Sequence, residues 1–276
     1  MSAASNRMAM RIHNQNRKII IWKQRWALAL VCLLVSAAVL FASCDEHDPL
    51  DTDIHIGYVL CDDHQVMSLG DFKNTAHRNA VGVIFATATP ERPALAVMLF
   101  EHEGIQFTNK IPLGCDTSGD YQAYDGYVNC VSMFNTLEEE VFTDTIPDPT
   151  PENPDNVKYV KRTEYYYSPL GQWVFDSHYH RQSDYIPSCA EARLLQQNVG
   201  TVNRVIMELI ALGNTEAVPI NVGTGEDDDD CWYWTSTEDA DDVKNRAWLF
   251  SMATPGFQQT PKTERHKARA IVAINY

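Results

Sequence analysis

No two of the seven cysteines stand in a CxxC or another metal-ligand spacing, so the cysteines carry no metal signature. The first 43 residues contain no acid, and the rest of the chain is poor in bases. Six of the 22 Lys and Arg fall in that first stretch, leaving 16 against 37 acids in residues 44–276, a net charge of −21 with His neutral. Such a body repels phosphate backbones and anionic headgroups, which excludes nucleic acid as a partner. A catalytic constellation is also missing. His178 and His180 could face one way along a strand, but two ligands are too few for an open catalytic metal site. With 45% hydrophobic and 21% charged residues the composition is ordinary for a globular domain and excludes a fibre or a disordered chain.

The acid-free start holds Arg7, Arg11, Arg17, Lys18, Lys23 and Arg25, followed by an uncharged run over residues 26–43. A basic segment, an apolar run and small residues before a cleavage point form the order of a secretory signal. Its ending, Leu40-Phe41-Ala42-Ser43-Cys44, resembles a bacterial lipobox, with Cys44 as the residue that is diacylated and becomes the mature N-terminus. Phe41 stands where that motif usually has Leu. The competing reading is a transmembrane anchor, since 18 residues of this kind just span a bilayer. Each buried acyl methylene contributes about 0.8 kcal/mol, so two or three chains hold a protein on a membrane without help from its fold. Asp45-Glu46-His47-Asp48 resembles the acidic tetrad that directs Bacteroidetes lipoproteins to the outer face of the outer membrane, and it reads equally as a solvated linker. The expected organisation is a signal over 1–43, an acidic linker over 44–53 and one domain over 54–276. The expected location is the outer membrane, lipid-anchored and surface-exposed.

Within the domain, residues 54–60 alternate as a strand and Asp62-Asp63-His64 is a turn signal. Residues 80–88 and 94–100 are continuously apolar, as strands buried on both faces are. Asp116, Asp120 and Asp125 lie close together in a polar, Gly-rich stretch and could ligate calcium, although their spacing is not that of an EF-hand, and a solvated turn is the plainer reading. Residues 143–156 hold Pro147, Pro149, Pro151 and Pro154 among acids, which predicts an exposed insertion. Residues 171–175 read as a short strand. Ser188-Cys189-Ala190-Glu191 is a capping box that starts a helix ending near 198–200. A second helix is predicted from the stripe Val202, Val205, Ile206, Leu209 and Ile210, with Gly213 placed for a left-handed cap. Glu226 to Asp230 form an acidic run that must be solvated or neutralised by a cation. Five cysteines remain in the body, Cys61, Cys115, Cys130, Cys189 and Cys231, which permits at most two disulfides and one free thiol; buried unpaired thiols are the alternative.

The last ninety residues contain Cys231-Trp232-Tyr233-Trp234-Thr235-Ser236-Thr237-Glu238, then Ala247-Trp248-Leu249-Phe250, Gly256, Lys262 and Ala268-Arg269-Ala270-Ile271. That order resembles the C-terminal repeat of many Bacteroidetes and Fibrobacter surface proteins, the Fibrobacter-type paralogous or Lcl-like domains. Tyr124-Asp125-Gly126-Tyr127-Val128-Asn129 resembles the Asp-Gly-x-x-Asn segment of that family, with Cys130 in place of its Thr. The resemblance implies an α+β, C-type-lectin-like fold: twisted antiparallel sheets with two helices, and the strands at 54–60 and 268–274 paired. It also implies kinship in outline with formylglycine-generating enzymes, whose reactive Cys pair this chain does not match.

The expectation is therefore a recognition or adhesion module without catalytic residues and without a resident cofactor, binding a glycan or protein. The alternative is a structural subunit of a surface assembly. Trp232 and Trp234 could form a sugar-stacking platform or fill the core, and core filling is the favoured reading. For buried Arg269 the expected partner is Glu238 or Glu191. The expected ligand surface is an acidic face made by residues 223–230 and 239–245, using Asp227, Asp228, Asp229, Asp230, Tyr233 and Arg246. A cation or a basic partner suits such a face better than an anionic glycan.

Overall fold

A computed structural model of the chain describes residues 53–176, 184–223 and 229–274, with the Asp229 side chain left out. Cys44, the acidic tetrad, the His178 and His180 pair, Glu226, Asp227 and Asp228 lie outside the described residues. No described helix is long and apolar enough to cross a membrane.

The body is α+β. One five-stranded sheet is built from β1 (Val59–Cys61), β2 (Val66–Met67), β3 (Ala80–Ala86), β4 (Ala94–Met98) and β12 (Ile271–Ile274), in the order β12-β4-β3-β1-β2 and antiparallel throughout. β3 and β4 are the two continuous apolar runs, and every residue of both is buried, because each strand has a neighbour on either side and packing on both faces. A second sheet holds β5 (His102–Gln106), β8 (Trp232–Glu238), β9 (Arg246–Ser251), β10 (Gly256–Pro261) and β11 (Arg265–Ala268), in the order β10-β9-β8-β11-β5. Only β8 and β11 run parallel there.

The termini of the domain do not pair as expected. β12 pairs with β4 and β1 with β3, so two strands separate them within one sheet. Both runs are apolar and would suit either neighbour, and the longer buried strands β3 and β4 take the central places.

Four helices occur among the described residues: α1 (Leu69–Asn74), α2 (Gly126–Asn135), α3 (Pro169–Asp176) and α4 (Cys189–Ala211). α3 replaces the strand expected over 171–175; Leu170, Gly171 and Val174 fall on its buried face at helical spacing. α4 replaces the two expected helices. It runs 23 residues straight through Gly200, starts at the Ser188 capping box and ends before Gly213 at φ +96°. A mid-helix Gly costs about 1 kcal/mol. Leu195, Val202, Val205, Ile206 and Leu209 all bury on one stripe that spans the break, and that burial outweighs the cost. α4 lies against β3 of one sheet and β8 and β9 of the other, so it holds the sheets in one core.

The Pro-rich insertion is not a loop throughout. β6 (Leu137–Pro147) and β7 (Val157–Tyr167) pair over eleven positions into a two-stranded ribbon, and only 148–156 turn at its tip. The five body cysteines are all buried free thiols, so neither of the permitted disulfides forms. Burial pushes the thiols of Cys61, Cys115 and Cys189 up to about 11, the protonated and unreactive end of thiol behaviour.

Candidate recognition face

β8 is the strand from which the face is hung. Trp234 fills the core: its ring nitrogen donates to the Ile105 carbonyl at 2.7 Å and its ring meets Phe107 and His266 edge-on at 5.6 and 5.2 Å. Trp232 is half-buried and lies near Gly256. Tyr233, expected at the surface, is buried. Its hydroxyl donates to Glu101 at 3.1 Å and accepts the Asn221 amide, and burial first, then Glu101, holds the phenol protonated. The alternation rule misplaces Tyr233 because β8 is covered on both faces.

The same Glu101 is the partner of Arg269, in place of Glu238 or Glu191. The guanidinium donates to it at 2.6 and 3.2 Å and to the Val218 and Met98 carbonyls, while Lys267 adds a contact at 3.1 Å. This carboxylate, two cations and one phenol close a buried network below β11.

Glu238 ends β8 and organises the loops beyond it. One carboxylate oxygen accepts the Cys115 amide at 2.8 Å and the other the Thr117 amide and hydroxyl at 2.9 and 3.0 Å. The Lys262 ammonium completes the pair and donates as well to the carbonyls of Leu113 at 2.8 Å and Val243 at 2.5 Å. Both charged side chains are fully buried. A single ion pair therefore ties segment 113–117 to segment 239–245. Gly119 lies against Ala240, where an added Cβ would come within 2.7 Å of the Ala240 Cβ.

Further along, the Asn129 carbonyl oxygen accepts the Ser118 amide at 2.9 Å and its amide donates to Asp125 at 2.9 Å. Ser188 donates its hydroxyl to the Ala123 carbonyl at 2.7 Å. Glu191 returns to the Ser188 amide at 2.7 Å and accepts the Tyr185 hydroxyl at 3.1 Å; burial raises its pKa. Gly126 sits in this corner because nothing larger fits: a Cβ there would meet the Ile186 carbonyl oxygen at 2.7 Å and the Ser188 nitrogen at 2.8 Å. Gly126 is thus a packing requirement of the α4 N-terminus.

What this fixed backbone presents outward is aromatic. Tyr121, Tyr124 and Tyr127 are each 45–47% exposed. Arg92 lies over the Tyr124 ring at 5.7 Å and Tyr127 meets Tyr185 edge-on at 5.9 Å. Arg246, from the expected set, is exposed at the start of β9 on the same side as 239–245. Residues 114–116 also line a polar concavity of about 380 Å3, shared with Ser132, Asn135 and Thr136 of α2 and its end. That volume lies within the range of small-ligand sites.

Of the first acidic loop only Gly223 and the 3-10 turn Asp229–Cys231 are described; that turn leads into β8, and residues 239–245 leave its other end, seven strand residues or about 20 Å of extended chain further on. Asp230 is exposed at the far end. Of the aspartates considered for calcium, Asp125 is tied to Asn129, Asp120 accepts the Gln122 amide at 2.9 Å, and Asp116 turns the chain at φ +54°. No group of three or more His, Cys, Asp or Glu placed to hold a metal occurs among the described residues.

In the sequence Tyr124 and Tyr127 flank the Asp-Gly of the family-like segment and Tyr121 lies in the polar, Gly-rich stretch before it, with nothing in either pattern that marks the rings as exposed. The signal that could have found them is aromatic residues repeated among turn formers. Comparison with protein families, curated proteins and solved structures returned no match for this chain.

Proposed function

We propose that this chain is a surface lipoprotein, anchored through Cys44 in the outer membrane, whose C-type-lectin-like body is a recognition or adhesion module. The observation that carries the reading is the set Tyr121, Tyr124 and Tyr127, half exposed on a backbone fixed from below by Glu238, Asn129 and Ser188. Tyrosine offers a large amphipathic ring at low entropic cost, and a preordered loop loses little further freedom on binding. Such rings pack on the C–H face of a sugar or on apolar side chains. The concavity beside residues 114–116 gives a seat for a small polar group.

The test is a glycan-array and protein-binding screen with residues 45–276, repeated with Tyr121→Ala, Tyr124→Ala and Tyr127→Ala combined. A ligand of this face binds the triple variant at least tenfold more weakly. A ligand that binds it unchanged rules this face out. The anchor is tested separately: Cys44→Ala blocks incorporation of labelled palmitate, and palmitate entering that variant sinks the lipoprotein assignment.

A further inference from the structure

The β6–β7 ribbon leaves the body at its root and is held there by few groups. Asn109 brackets it, donating from its side chain to the Tyr165 carbonyl at 3.1 Å and from its backbone to the Tyr167 carbonyl at 3.1 Å, and accepting the Tyr167 amide at 2.9 Å. Lys110 reaches Glu140 at 2.8 Å and covers the Tyr166 ring. The strand ladder and the contacts of Arg162 with Asp144 and Glu164 lie within the ribbon itself.

Its two faces differ. Residues paired across the strands share a face, so one face carries Glu138, Tyr166, Glu140, Glu164, Phe142, Arg162, Asp144, Val160, Ile146 and Lys158 by register. On that face Arg162 bridges Asp144 and Glu164 and lies over Phe142, and the ribbon's half-buried residues, Phe142, Glu164 and Tyr166, are all there, with Ile146 and Val160 38% and 40% exposed toward the tip. The opposite face carries Leu137, Val141, Tyr159, Tyr165 and Tyr167, with Leu137 66% and Tyr159 73% exposed. Its only charges are Glu139 and Lys161. An isolated two-stranded ribbon is marginal in water and needs a third strand or a packed face.

We propose that this second face is a self-association surface, on which two copies of the chain pack their ribbons face to face about a two-fold axis through Val141 and Thr163. The inference is independent of the recognition reading and concerns a different surface.

The occupant is chosen by the order of groups along the face. On a body of net charge −21 this stripe is neutral, so a basic partner has nothing to meet on it. The stripe is self-complementary instead. Counting outward from Val141 and its partner Thr163, two residues toward the root lie Glu139 and Tyr165, and two toward the tip lie Thr143 and Lys161. Antiparallel stacking about that centre puts Glu139 of each copy diagonally across from Lys161 of the other, and Lys161 over Tyr165. Four residues out, Leu137 and Tyr167 of one copy meet Thr145 and Tyr159 of the other. A one-step shift in register along the face loses both ion pairs. The contact buries roughly 600 Å2 per copy, about 1,200 Å2 in all, the lower end for specific interfaces. An isologous contact of this kind closes and does not propagate.

The experiment measures the protein mass of the full chain in detergent by light scattering, with the detergent contribution subtracted. Wild type gives twice the monomer mass. Glu139→Lys and Lys161→Glu each place like charges at two symmetric sites and weaken dimerisation at least tenfold; both positions are exposed, and circular dichroism confirms the fold. Mixing the two single variants one to one restores dimers, because the copy with lysine at both positions then faces the copy with glutamate at both. Failure of the mixture to recover, a dimer indifferent to either reversal, or a wild-type chain that stays monomeric overturns the proposal. Tyrosine variants at 121, 124 and 127 leave the mass unchanged, which separates this result from the recognition test.

Discussion

The β3–β4 pair and the β6–β7 ribbon are both antiparallel pairs rich in apolar residues, yet the first is buried on both faces and the second stands in solvent on both. The difference lies in what interrupts the apolar residues. β3 and β4 contain no charge, so nothing opposes covering both faces. The ribbon sets a charged or hydroxyl residue beside almost every apolar one, and burying it in the body would strand those groups. Stability should therefore reside in the first region and its buried polar anchors, while the ribbon should contribute almost none.

The largest effect expected on the stable side comes from the Glu238–Lys262 pair. Glu238→Ala leaves an ammonium buried with only carbonyls and removes the acceptor for two backbone amides. Breaking one partner of a buried pair costs about 3–5 kcal/mol. Denaturant unfolding at pH 7 should show a loss of that size. A loss within 1 kcal/mol, at about the level of a surface substitution, would mean that the loops are not held by this pair.

Asp184 gives the next effect, with the opposite sign. It is buried, neither of its oxygens has a hydrogen-bond partner among the described residues, and burial raises its pKa to about 8. An unfolded Asp titrates near 3.9, so between roughly pH 4 and 8 the folded state holds a proton that the unfolded state has lost. Stability from this group is complete below that window and falls as pH rises through it. Asp184→Asn should remove the decline, matching the parent at pH 4 and exceeding it increasingly up to pH 8, by at most about 1.4 kcal/mol for each pH unit of the window. Equal denaturation midpoints at both pH values would show that the carboxyl ionises in the folded protein without penalty.

How far such positions could be read beforehand depended on whether local pattern decided them. The burial of β3 and β4 was readable from seven and five uninterrupted apolar residues, and the Ser188 cap from four. The order of strands was not, because the partners of β1 and β12 are chosen by which strands take the sheet centre, a non-local matter. Gly200 misled because a glycine near Asn198 resembles a helix stop, whereas Leu195, Val202 and Leu209 repeat every seven residues straight across it. Over 143–147 the prolines at 147, 149, 151 and 154 point to a loop, although β6 runs on to Pro147. Val and Thr on both strands, Phe142 on β6 and four tyrosines on β7, together with pairing in register, extend the sheet to that proline at its end. The tyrosine face is not legible in the sequence, because exposure of an aromatic residue is set by the neighbours it does not have.

Gly200 also gives a smaller, favourable effect on the stable side. It is exposed within α4, and an added Cβ would have no atom within 4 Å. Gly200→Ala should stabilise the body by about 1 kcal/mol through helix propensity alone. A neutral or negative result by thermal unfolding would indicate that α4 is bent or frayed there.

The smallest effect should come from the largest change. Leu137 and Tyr167 face each other at the ribbon's root, where paired strands are about 5 Å apart, a gap that a two-residue Asn-Gly turn closes. Replacing residues 138–166 by that turn removes the exposed Lys110–Glu140 contact and the side-chain bond from Asn109 to the Tyr165 carbonyl. It leaves untouched the Asn109 bracket on Tyr167, the packing of Gly171 of α3 on Met133 of α2, and both sheets. Exposed pairs of this kind contribute little. Measured under conditions where the chain is monomeric, the unfolding temperature of the shortened protein should stay within about 3 °C of the parent, the shift that a change of about 1 kcal/mol makes in a domain of about 150–250 residues. At concentrations where the parent is dimeric, the shortened chain should instead lose the concentration dependence of its transition, since a partner that binds only the folded form raises the transition by mass action. A shortened chain that unfolds far below the monomeric parent would show that the ribbon is part of the core after all, and the contrast between the two strand pairs would fall.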